Sequence, residues 1–403
     1  MNTIMKTNLF YNICVISMTI ACLSCSNNNN YTIDGEVLPT DNAAVITIEP
    51  TSDTVHFSKI VKSLDIIPLE SKDGSLMGSI ESLKYNDSLF FCLDYRGKQI
   101  YSFDAQGNFR CLVGTNGRGP GEYLKPNCIG IDTYNKQLLV LDNGKNIKRY
   151  DYEGNFMSSD EFNFHLEDFV ITPKSLCLFT SKRVNYKTDD DDYWGSELTI
   201  VDRKNHNSVN RYIPVNKALF PADDAHVTLR EKVPFGQLAD SYTFHYNFTD
   251  LIYSIDKKSS EVKVKYVVDF GKNAYKDNLA DMGTQEALEY IGSHSKKAGF
   301  VHDVMETDNF LMFNYVSNST NSIYFKSKTT NKSVNGYFVD DIFDCRYSMT
   351  GYIDSNRFFA VVEDPSSLKF KDGCNIVVRG KEKTENLKNT DNPLILIFTV
   401  GSL

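Results

Sequence analysis

The sequence predicts an all-β fold, a six-bladed β-propeller with four-stranded blades that is closed by an N-terminal strand. Three observations support this prediction: a repeated pattern of strands and turns, a last repeat that is short by one strand, and a spare strand near the N-terminus. Tyr and Phe contribute 23 and 26 of the 403 residues. This aromatic content favours strands over helices.

The repeat is clearest in two stretches in the first half of the chain. Residues 88–109 read SLFFCLDYRGKQIYSFDAQGNF, and residues 137–156 read QLLVLDNGKNIKRYDYEGNF. Both approximate the pattern LxLD…IxxYDxxGNF, in which an apolar strand ends in Asp and a Gly-Asn turn leads into a further strand. Such turns between alternating apolar runs are typical of β-hairpins.

Weaker copies of this pattern bring the number of units to six, each with about four strands, labelled A to D from the centre outward. The sixth unit lacks a strand because the sequence ends at Leu403, whereas residues 63–70 form a spare strand. We predict that the spare strand completes the last blade, since closure removes exposed sheet edges. Residues 284–291 have helical spacing and predict an insertion between units 4 and 5.

The first 24 residues are typical of a targeting segment. Lys6 precedes an apolar run over residues 13–23, which is too short for a convincing membrane-spanning helix. The sequence Ser-Cys-Ser around Cys25, followed by four asparagines, indicates a bacterial lipoprotein signal. Cys25 is the predicted acylated residue and Cys22 is the alternative; an ordinary cleaved signal is the other interpretation of this segment.

These patterns divide the chain into three parts. Residues 1–24 are the predicted lipoprotein signal peptide, residues 25–54 a polar, flexible tether, and residues 55–403 the propeller domain. We expect the protein to be held at the membrane by its lipid anchor.

Charge and motifs exclude several classes of partner and cofactor. The formal net charge is −9, and nucleic-acid binding requires clustered Lys and Arg. The seven histidines lack the HExxH spacing, and the acidic run 189–192 lacks the residue order of a calcium loop. We therefore predict no metal site, no cofactor and no nucleic-acid partner.

The cysteines of the body are predicted to be buried thiols. No two of them lie at CxxC spacing. Cys92, Cys111, Cys128 and Cys177 lie inside apolar runs, where Cys usually behaves as a small hydrophobic residue. This interpretation is favoured over a disulfide framework.

Five features of the sequence carry a resemblance to a known family. They are the motif GRGPGEY at residues 117–123, the LxLD…YDxxGNF blades, LIYSI at residues 251–255, the strand at 64–70 and the signal with its Cys. In these features the chain resembles the six-bladed β-propeller lipoproteins of Bacteroides-type bacteria, which are related to NHL-repeat propellers. The resemblance covers roughly residues 55–400 and implies the fold and export. It implies no settled reaction, so no catalytic residues are carried over.

The resemblance also bears on localisation. In such bacteria, acidic residues just after the lipidated Cys mark export to the cell surface. Here Cys25 is followed by Ser26 and asparagines. This departure favours an outer-membrane lipoprotein that faces the periplasm over one at the cell surface.

Repeated aspartates at strand ends are candidates for a carboxylate pair of the kind that hydrolyses glycosides. They are Asp94, Asp104, Asp142 and Asp151. Because they recur once or twice in each blade, we predict that they cap turns.

The connections between strands predict where a ligand binds. Since strand direction alternates, the B–C and D–A connections lie on one face, and the long insertions 182–196, 215–240, 272–300 and 365–392 are all of these two kinds. Loops on a rigid scaffold commonly carry binding sites. The candidate ligand-binding residues on this face are Arg96, Arg118, Glu122, Tyr123, Asn143 and Trp194. The alternative role for Arg118 and Glu122 is a local pair that only holds the loop.

Two function classes remain open. The first is a non-catalytic envelope lipoprotein that binds a glycan, a peptide or a protein through this face. The second is a propeller hydrolase or lyase that acts on a glycan-type substrate. Histidines clustered with carboxylates at the mouth of the ring favour the second class, and an aromatic and polar mouth favours the first.

Overall fold

The structure, a computed structural model, describes residues 31–33, 36–180, 196–204, 206, 209–214, 233–373, 375–401 and 403. Strands dominate it, and six sheets of four or five strands form the blades of a ring. The predicted six-bladed β-propeller is therefore confirmed. The candidate residue Trp194 and the acidic run 189–192 lie outside the described residues.

The described part of the chain begins with four strands and a short helix that lie against blades formed later in the sequence. They are β1 (Tyr31–Ile33), β2 (Ala44–Thr47), β3 (Thr54–His56), α1 (Phe57–Ile60) and β4 (Val61–Pro68).

Blades 1 to 3 each contain four consecutive antiparallel strands, A to D in chain order. Blade 1 is formed by β5 (Ser82–Tyr85), β6 (Leu89–Asp94), β7 (Gln99–Asp104) and β8 (Phe109–Leu112). A small parallel pair follows, β9 (Thr115–Asn116) and β10 (Glu122–Tyr123). Blade 2 is formed by β11 (Pro126–Asp132), β12 (Gln137–Asp142), β13 (Asn146–Tyr150) and β14 (Phe156–Glu161). Blade 3 is formed by β15 (Asp168–Ile171), β16 (Ser175–Phe179), β17 (Ser196–Asp202) and β18 (Val209–Pro214).

The second half of the ring repeats this arrangement. Blade 4 is formed by β19 (Phe235–Gln237), β20 (Ser241–Phe244), β21 (Leu251–Asp256) and β22 (Val262–Asp269). Blade 5 is formed by β23 (Ala298–Glu306), β24 (Phe310–Ser317), β25 (Thr320–Ser327) and β26 (Lys332–Val339). In blade 6, strands A, B and C are β27 (Ser348–Tyr352), β28 (Arg357–Val362) and β30 (Leu394–Val400). The short strand β29 (Val377–Arg379) lies at the outer edge of this blade.

Helices occur in the connections. The helix predicted between blades 4 and 5 is α2 (Thr284–Ser293). Short 3-10 helices cover Gly271–Asn273, Leu279–Asp281, Pro365–Ser367 and Lys381–Thr384. None of the helices in the described part of the chain is long and apolar enough to cross a membrane.

The ring is closed by β4, as the strand count predicts. This strand pairs antiparallel with β30, with Ile66 opposite Leu396, and so becomes strand D of blade 6. It spans residues 61–68, two residues earlier than the predicted strand. Leu64 and Ile66 are buried in the core between blades 5 and 6, so closure also completes that core.

The segment before β4 departs from the flexible tether predicted for residues 25–54. The strands β1, β2 and β3 pair in parallel with the D strands of blades 3, 4 and 5 in turn. The apolar run around Ile46 and Ile48 explains the difference, because both side chains are buried in the core between blades 4 and 5. This N-terminal segment therefore covers three blade edges that would otherwise be exposed.

The core is divided among the contacts between blades. Each of the six contacts between neighbouring blades has its own cluster of buried side chains. A seventh, smaller cluster joins α2 to blade 5. Cys92, Cys128 and Cys177 are buried thiols within these layers, as the apolar runs predict, whereas Cys111, predicted to be buried on the same ground, is only partly buried because it lies in the outer strand β8.

Candidate functional site

The connections between strands divide unequally between the two faces of the ring. Those of the B–C and D–A kinds include 113–125, 270–297 and 363–393, whereas the longest A–B or C–D connections that the structure describes in full are 151–155 and 257–261. Since strand direction alternates within each blade, these long connections lie on one side of the ring. We call this side the loop-rich face.

Carboxylates at the ends of B strands fix the connections of this face. Asp94 accepts hydrogen bonds from the backbone N–H groups of Gly78 and Gly97, with N···O distances of 2.7 and 2.9 Å. Asp142 accepts from the N–H groups of Leu124 and Lys125 at 3.0 and 2.8 Å. Each aspartate thus ties the D–A connection that enters a blade to the end of strand B of that blade.

The two remaining strand-end aspartates have the same role on the opposite face. Asp104 accepts from the N–H of Asn108 at 2.9 Å, and Asp151 accepts from the N–H of Asn155 at 2.7 Å. Asp94, Asp104 and Asp151 therefore cap the turns that follow them, as predicted, whereas the carboxylate of Asp142 binds N–H groups of the D–A connection.

Glu122 stabilises the GRGPGEY connection through the backbone. Its carboxylate accepts the N–H of Gly119 at 2.6 Å, and its own N–H donates to the Gly119 carbonyl at 3.0 Å. The alternative prediction, a local pair with Arg118, is wrong in its partner, since these two described residues form no ion pair. A side chain at residue 117 would displace this carboxylate, because its Cβ would lie 2.0 Å from a Glu122 carboxylate oxygen.

Tyr123 is a core residue and does not line the face. It is fully buried between blades 1 and 2. Its hydroxyl donates to the Val113 carbonyl at 2.8 Å and accepts from the Ile100 N–H at 3.1 Å and the Gln99 side chain at 2.9 Å. The candidate ligand contact is therefore corrected to a structural hydrogen-bonding group, because neither the ring nor the hydroxyl is accessible.

Arg96, Arg118 and Asn143 are exposed on the loop-rich face, in connections that the strand-end aspartates fix. Asn143 has a left-handed φ of 54°, and its N–H donates to the Lys125 carbonyl at 2.8 Å. These three candidates thus lie over blades 1 and 2, and this backbone hydrogen bond joins the connections that carry Arg118 and Asn143.

Further exposed side chains surround these candidates and were missed by the sequence analysis. The basic residues of this region, which we call the basic cluster, are Arg96, Lys98, Arg118, Lys125 and Lys145. None of them forms an ion pair with a described residue. Two large exposed apolar residues, Tyr95 and Leu124, lie in the same connections, and a third, Leu76, lies in the D–A connection 69–81 that enters blade 1. The sequence could have indicated these cations, since Lys98 and Lys145 lie within two residues of the candidates Arg96 and Asn143. Only the fold, however, brings the separate turns together.

One cavity, about 170 Å³ in volume, follows the central channel toward the A–B side of the ring. Tyr134, Tyr242 and Lys257 contribute to its wall. The Lys257 ammonium lies 4.6 Å from the centre of the Tyr242 ring, a cation–π contact. The Tyr242 hydroxyl donates to the Ile171 carbonyl at 2.8 Å. This end of the channel is aromatic and polar.

A second cavity, about 160 Å³, lies in the channel between blades 5 and 6. Ser348 and Met349 contribute the start of strand A of blade 6, which places the cavity toward the loop-rich face. Asp303 of blade 5 lies in its wall, and the imidazole of His302 is bonded to that carboxylate, with Nδ1 2.9 Å from Oδ2. One histidine–carboxylate pair therefore stands at this end of the channel.

A buried histidine lies behind this pair. His245 is 1% exposed, and its Nε2 is 3.1 Å from the Thr249 carbonyl oxygen. Burial lowers the pKa of His245 to about 4, so its ring is neutral at pH 7. Within the described residues, no group of three or more His, Cys, Asp or Glu side chains is arranged to hold a metal ion.

These features define a class of protein, a six-bladed β-propeller whose long connections are concentrated on one face. The chain belongs to the family described as a domain of unknown function, DUF4934, whose sequence profile matches residues 43–399. No curated protein sequence matches the chain.

Two solved structures share the fold. A protein of Bacteroides fragilis NCTC 9343, described as a "putative exported protein", superimposes with a TM-score of 0.68 at 16% identity, covering 89% of this chain and all of that one. A member of the DUF4221 family from Bacteroides vulgatus ATCC 8482 superimposes with a TM-score of 0.50 at 8% identity, covering 85% and 97%. At these identities the likeness establishes the fold.

Proposed function

We propose that this protein is an exported lipoprotein of the bacterial cell envelope, and that its propeller binds an anionic ligand or partner through the loop-rich face. The observation that carries the proposal is the basic cluster, which lies on connections fixed by Asp94 and Asp142. A rigid scaffold with long loops on one face is the usual arrangement of a binding surface.

Charge supports an anionic ligand. The chain as a whole carries a formal net charge of −9, yet the basic cluster places five exposed cations over two adjacent blades. None of these five cations is held in an ion pair with a described residue, so their charges are available to a bound anion, and exposed cations attract anions and raise their association rate. An acidic glycan, an acidic peptide or an acidic protein surface meets this requirement.

The exposed apolar residues add contact area to the same surface. Leu76 is 54% exposed, Tyr95 37% and Leu124 45%. Tyr95 and Leu124 are in the connections that carry Arg96, Lys98, Arg118 and Lys125, and Leu76 is in the D–A connection 69–81 that Asp94 ties to blade 1, so apolar contact and charge pairing are available to one ligand. Tyr next to Arg is a combination that is enriched in the energetically dominant parts of interfaces.

Export and lipidation at Cys25 are supported by the sequence signal and by the description of the Bacteroides fragilis structural neighbour as exported. The chain also has a suitable path to an anchor. Tyr31 pairs with Val209, the first residue of strand D of blade 3, so β1 begins on the side opposite the loop-rich face. The six residue steps from Cys25 to Tyr31 span at most about 20 Å. A lipid at Cys25 therefore holds the ring close to the membrane with the loop-rich face turned away from it.

Charge reversal on the two faces tests the binding proposal. Acidic envelope polysaccharides and acidic peptides are screened against the lipid-free protein, and the best binder is titrated into the double variant Arg96→Glu, Arg118→Glu. We expect at least a tenfold loss of affinity and a steep salt dependence in the wild type. The matched control reverses two exposed cations of the opposite face, Lys258→Glu and Lys332→Glu, and keeps wild-type affinity. Equal losses in the two double variants contradict the proposal.

The anchor is tested separately by cell fractionation. Cys25→Ala is expected to release the protein from the membrane fraction, whereas Cys22→Ala leaves it there. If Cys25→Ala stays in the membrane fraction and Cys22→Ala is released, Cys22 is the acylated residue. If both variants stay in the membrane fraction, lipid anchoring at either residue is refuted.

A further inference from the structure

Strand A of blade 5 is distorted in a way that has no counterpart in the described A strands of blades 1, 3 and 4. The pairing of β23 with β24 shifts register twice, between Gly299 and His302 and again between His302 and Met305. Phe300 and Asp303 have φ angles of 53° and 50°, a left-handed conformation that is uncommon for residues other than Gly. Bulges re-aim side chains, and strained backbone of this kind clusters at ligand sites.

The insertion between blades 4 and 5 holds this distorted segment. The ring of Phe300 stacks on Phe248, with centroids 4.9 Å apart, and Phe248 itself has a φ of 71°. Phe248 is buried against Leu279 and Ala287 of the insertion, and Phe300 packs against the same cluster. The long connection that carries α2 thus stabilises a backbone conformation that isolated β-strands disfavour.

The left-handed backbone at Asp303 determines where its carboxylate lies. Oδ2 of Asp303 lies 2.9 Å from Nδ1 of His302 and accepts a hydrogen bond from the Asn314 amide at 3.3 Å. The carboxylate is thereby oriented in the wall of the second channel cavity. It is the one ionisable acid among the described residues that line this cavity.

The remaining wall is apolar and polarisable. Met305, Met312 and Met349 line it, together with the aromatic ring of Tyr347 and the hydroxyl of Ser348. Methionine sulfur and aromatic faces are favourable surroundings for an organic cation, and they adapt to its apolar part. A free inorganic anion or a second carboxylate is disfavoured by the charge of Asp303.

We infer that this cavity binds an organic ammonium ion, with the Asp303 carboxylate as its counter-ion and the three methionines around its apolar part. The volume of about 160 Å³ limits the bound group to a small one, such as a single amine-bearing ring or side chain. The inference rests on the proposed function in one respect, because it treats the cavity as the part of the loop-rich face that lies in the central channel. It uses residues of blades 5 and 6, separate from the basic cluster over blades 1 and 2.

The experiment compares benzylamine with benzyl alcohol, a neutral probe of nearly the same shape, by ligand-observed NMR titration of the lipid-free protein. Wild-type protein is expected to bind benzylamine at least tenfold more tightly than benzyl alcohol, because a charge-assisted hydrogen bond is stronger than a neutral one. Asp303→Asn is expected to abolish this preference. Asn tolerates a left-handed φ, so the variant preserves the backbone. The matched control, Asp354→Asn, alters an exposed carboxylate in the A–B turn of blade 6 and keeps the preference.

Equal affinity for the two probes in the wild type overturns the inference. So does an unchanged preference in a folded Asp303→Asn variant, as judged by its unfolding midpoint. The double variant Arg96→Glu, Arg118→Glu separates this inference from the proposed function. In that variant, retained benzylamine binding with lost binding of the acidic ligand supports both. Wild-type protein that binds the acidic ligand but not benzylamine refutes only the ammonium site.

Discussion

At the residue scale, polar side chains in this propeller serve the backbone first. Asp94, Asp142 and Glu122 all direct their carboxylates at backbone N–H groups, and the Tyr123 hydroxyl joins two blades. Sequence reasoning predicted the capping role of three of the four repeated aspartates correctly because the repeat makes their position recognisable. It misjudged Tyr123, because a tyrosine within a run of Gly, Pro and charged residues carries no sign of burial.

Tyr123→Phe is expected to lower the free energy of unfolding by about 1–3 kcal/mol, because the change leaves the buried Ile100 N–H and Val113 carbonyl without the hydroxyl. Tyr95→Phe, at an exposed position of the loop-rich face, is the matched control and should change it by less than about 0.5 kcal/mol. Urea unfolding measures both. A loss for Tyr123→Phe no larger than that of the control contradicts the structural role.

His245 predicts a pH dependence of stability. Its folded pKa is about 4 because of burial, below the ordinary value of 6.5, so the unfolded state binds the proton more readily between these pH values. Stability contributed by this residue is therefore complete above about pH 6.5 and falls as the pH is lowered toward 4, by roughly 3 kcal/mol in total.

Urea unfolding across pH 4 to 7 checks this dependence. His245→Gln should show a shallower decline of unfolding free energy below pH 6.5 than the wild type. His294→Gln removes an exposed histidine and should follow the wild-type curve. Identical slopes for His245→Gln and the wild type refute the assignment.

At the element scale, the N-terminal segment does more than close the ring. Its strands β1 to β3 cover the edges of blades 3 to 5 before β4 completes blade 6. The closing strand was predictable because the strand count required it. The three edge strands were not, since each has only three or four residues and pairs in parallel with a partner more than 150 positions away.

Leu64→Ala tests the closing strand. Leu64 is fully buried between blades 5 and 6, and its truncation is expected to cost about 2–5 kcal/mol of unfolding free energy, as for other large-to-small changes in cores. Lys62→Ala, at an exposed position of the same strand, is the control and should be nearly neutral. Comparable effects of the two substitutions in denaturant unfolding would show that β4 does not carry the core of blade 6.

At the scale of the whole molecule, the repeat predicts the ring, the number of blades and the face on which the long connections lie. These follow from strand order alone. The basic cluster and the Asp303 cavity do not, because both join residues from separate blades whose contact depends on packing. The distorted strand A of blade 5 is hidden for a further reason: its left-handed residues are Phe and Asp, where sequence patterns would look for Gly.

The central claim is that ligands bind on the loop-rich face. Hydrogen–deuterium exchange of the lipid-free protein, with and without the tightest acidic ligand from the envelope panel, tests it most directly. The account predicts slower exchange in the connections 69–81, 95–98, 113–125 and 143–145, with unchanged exchange in the C–D turns 105–108 and 151–155. Protection confined to the A–B and C–D turns would contradict it.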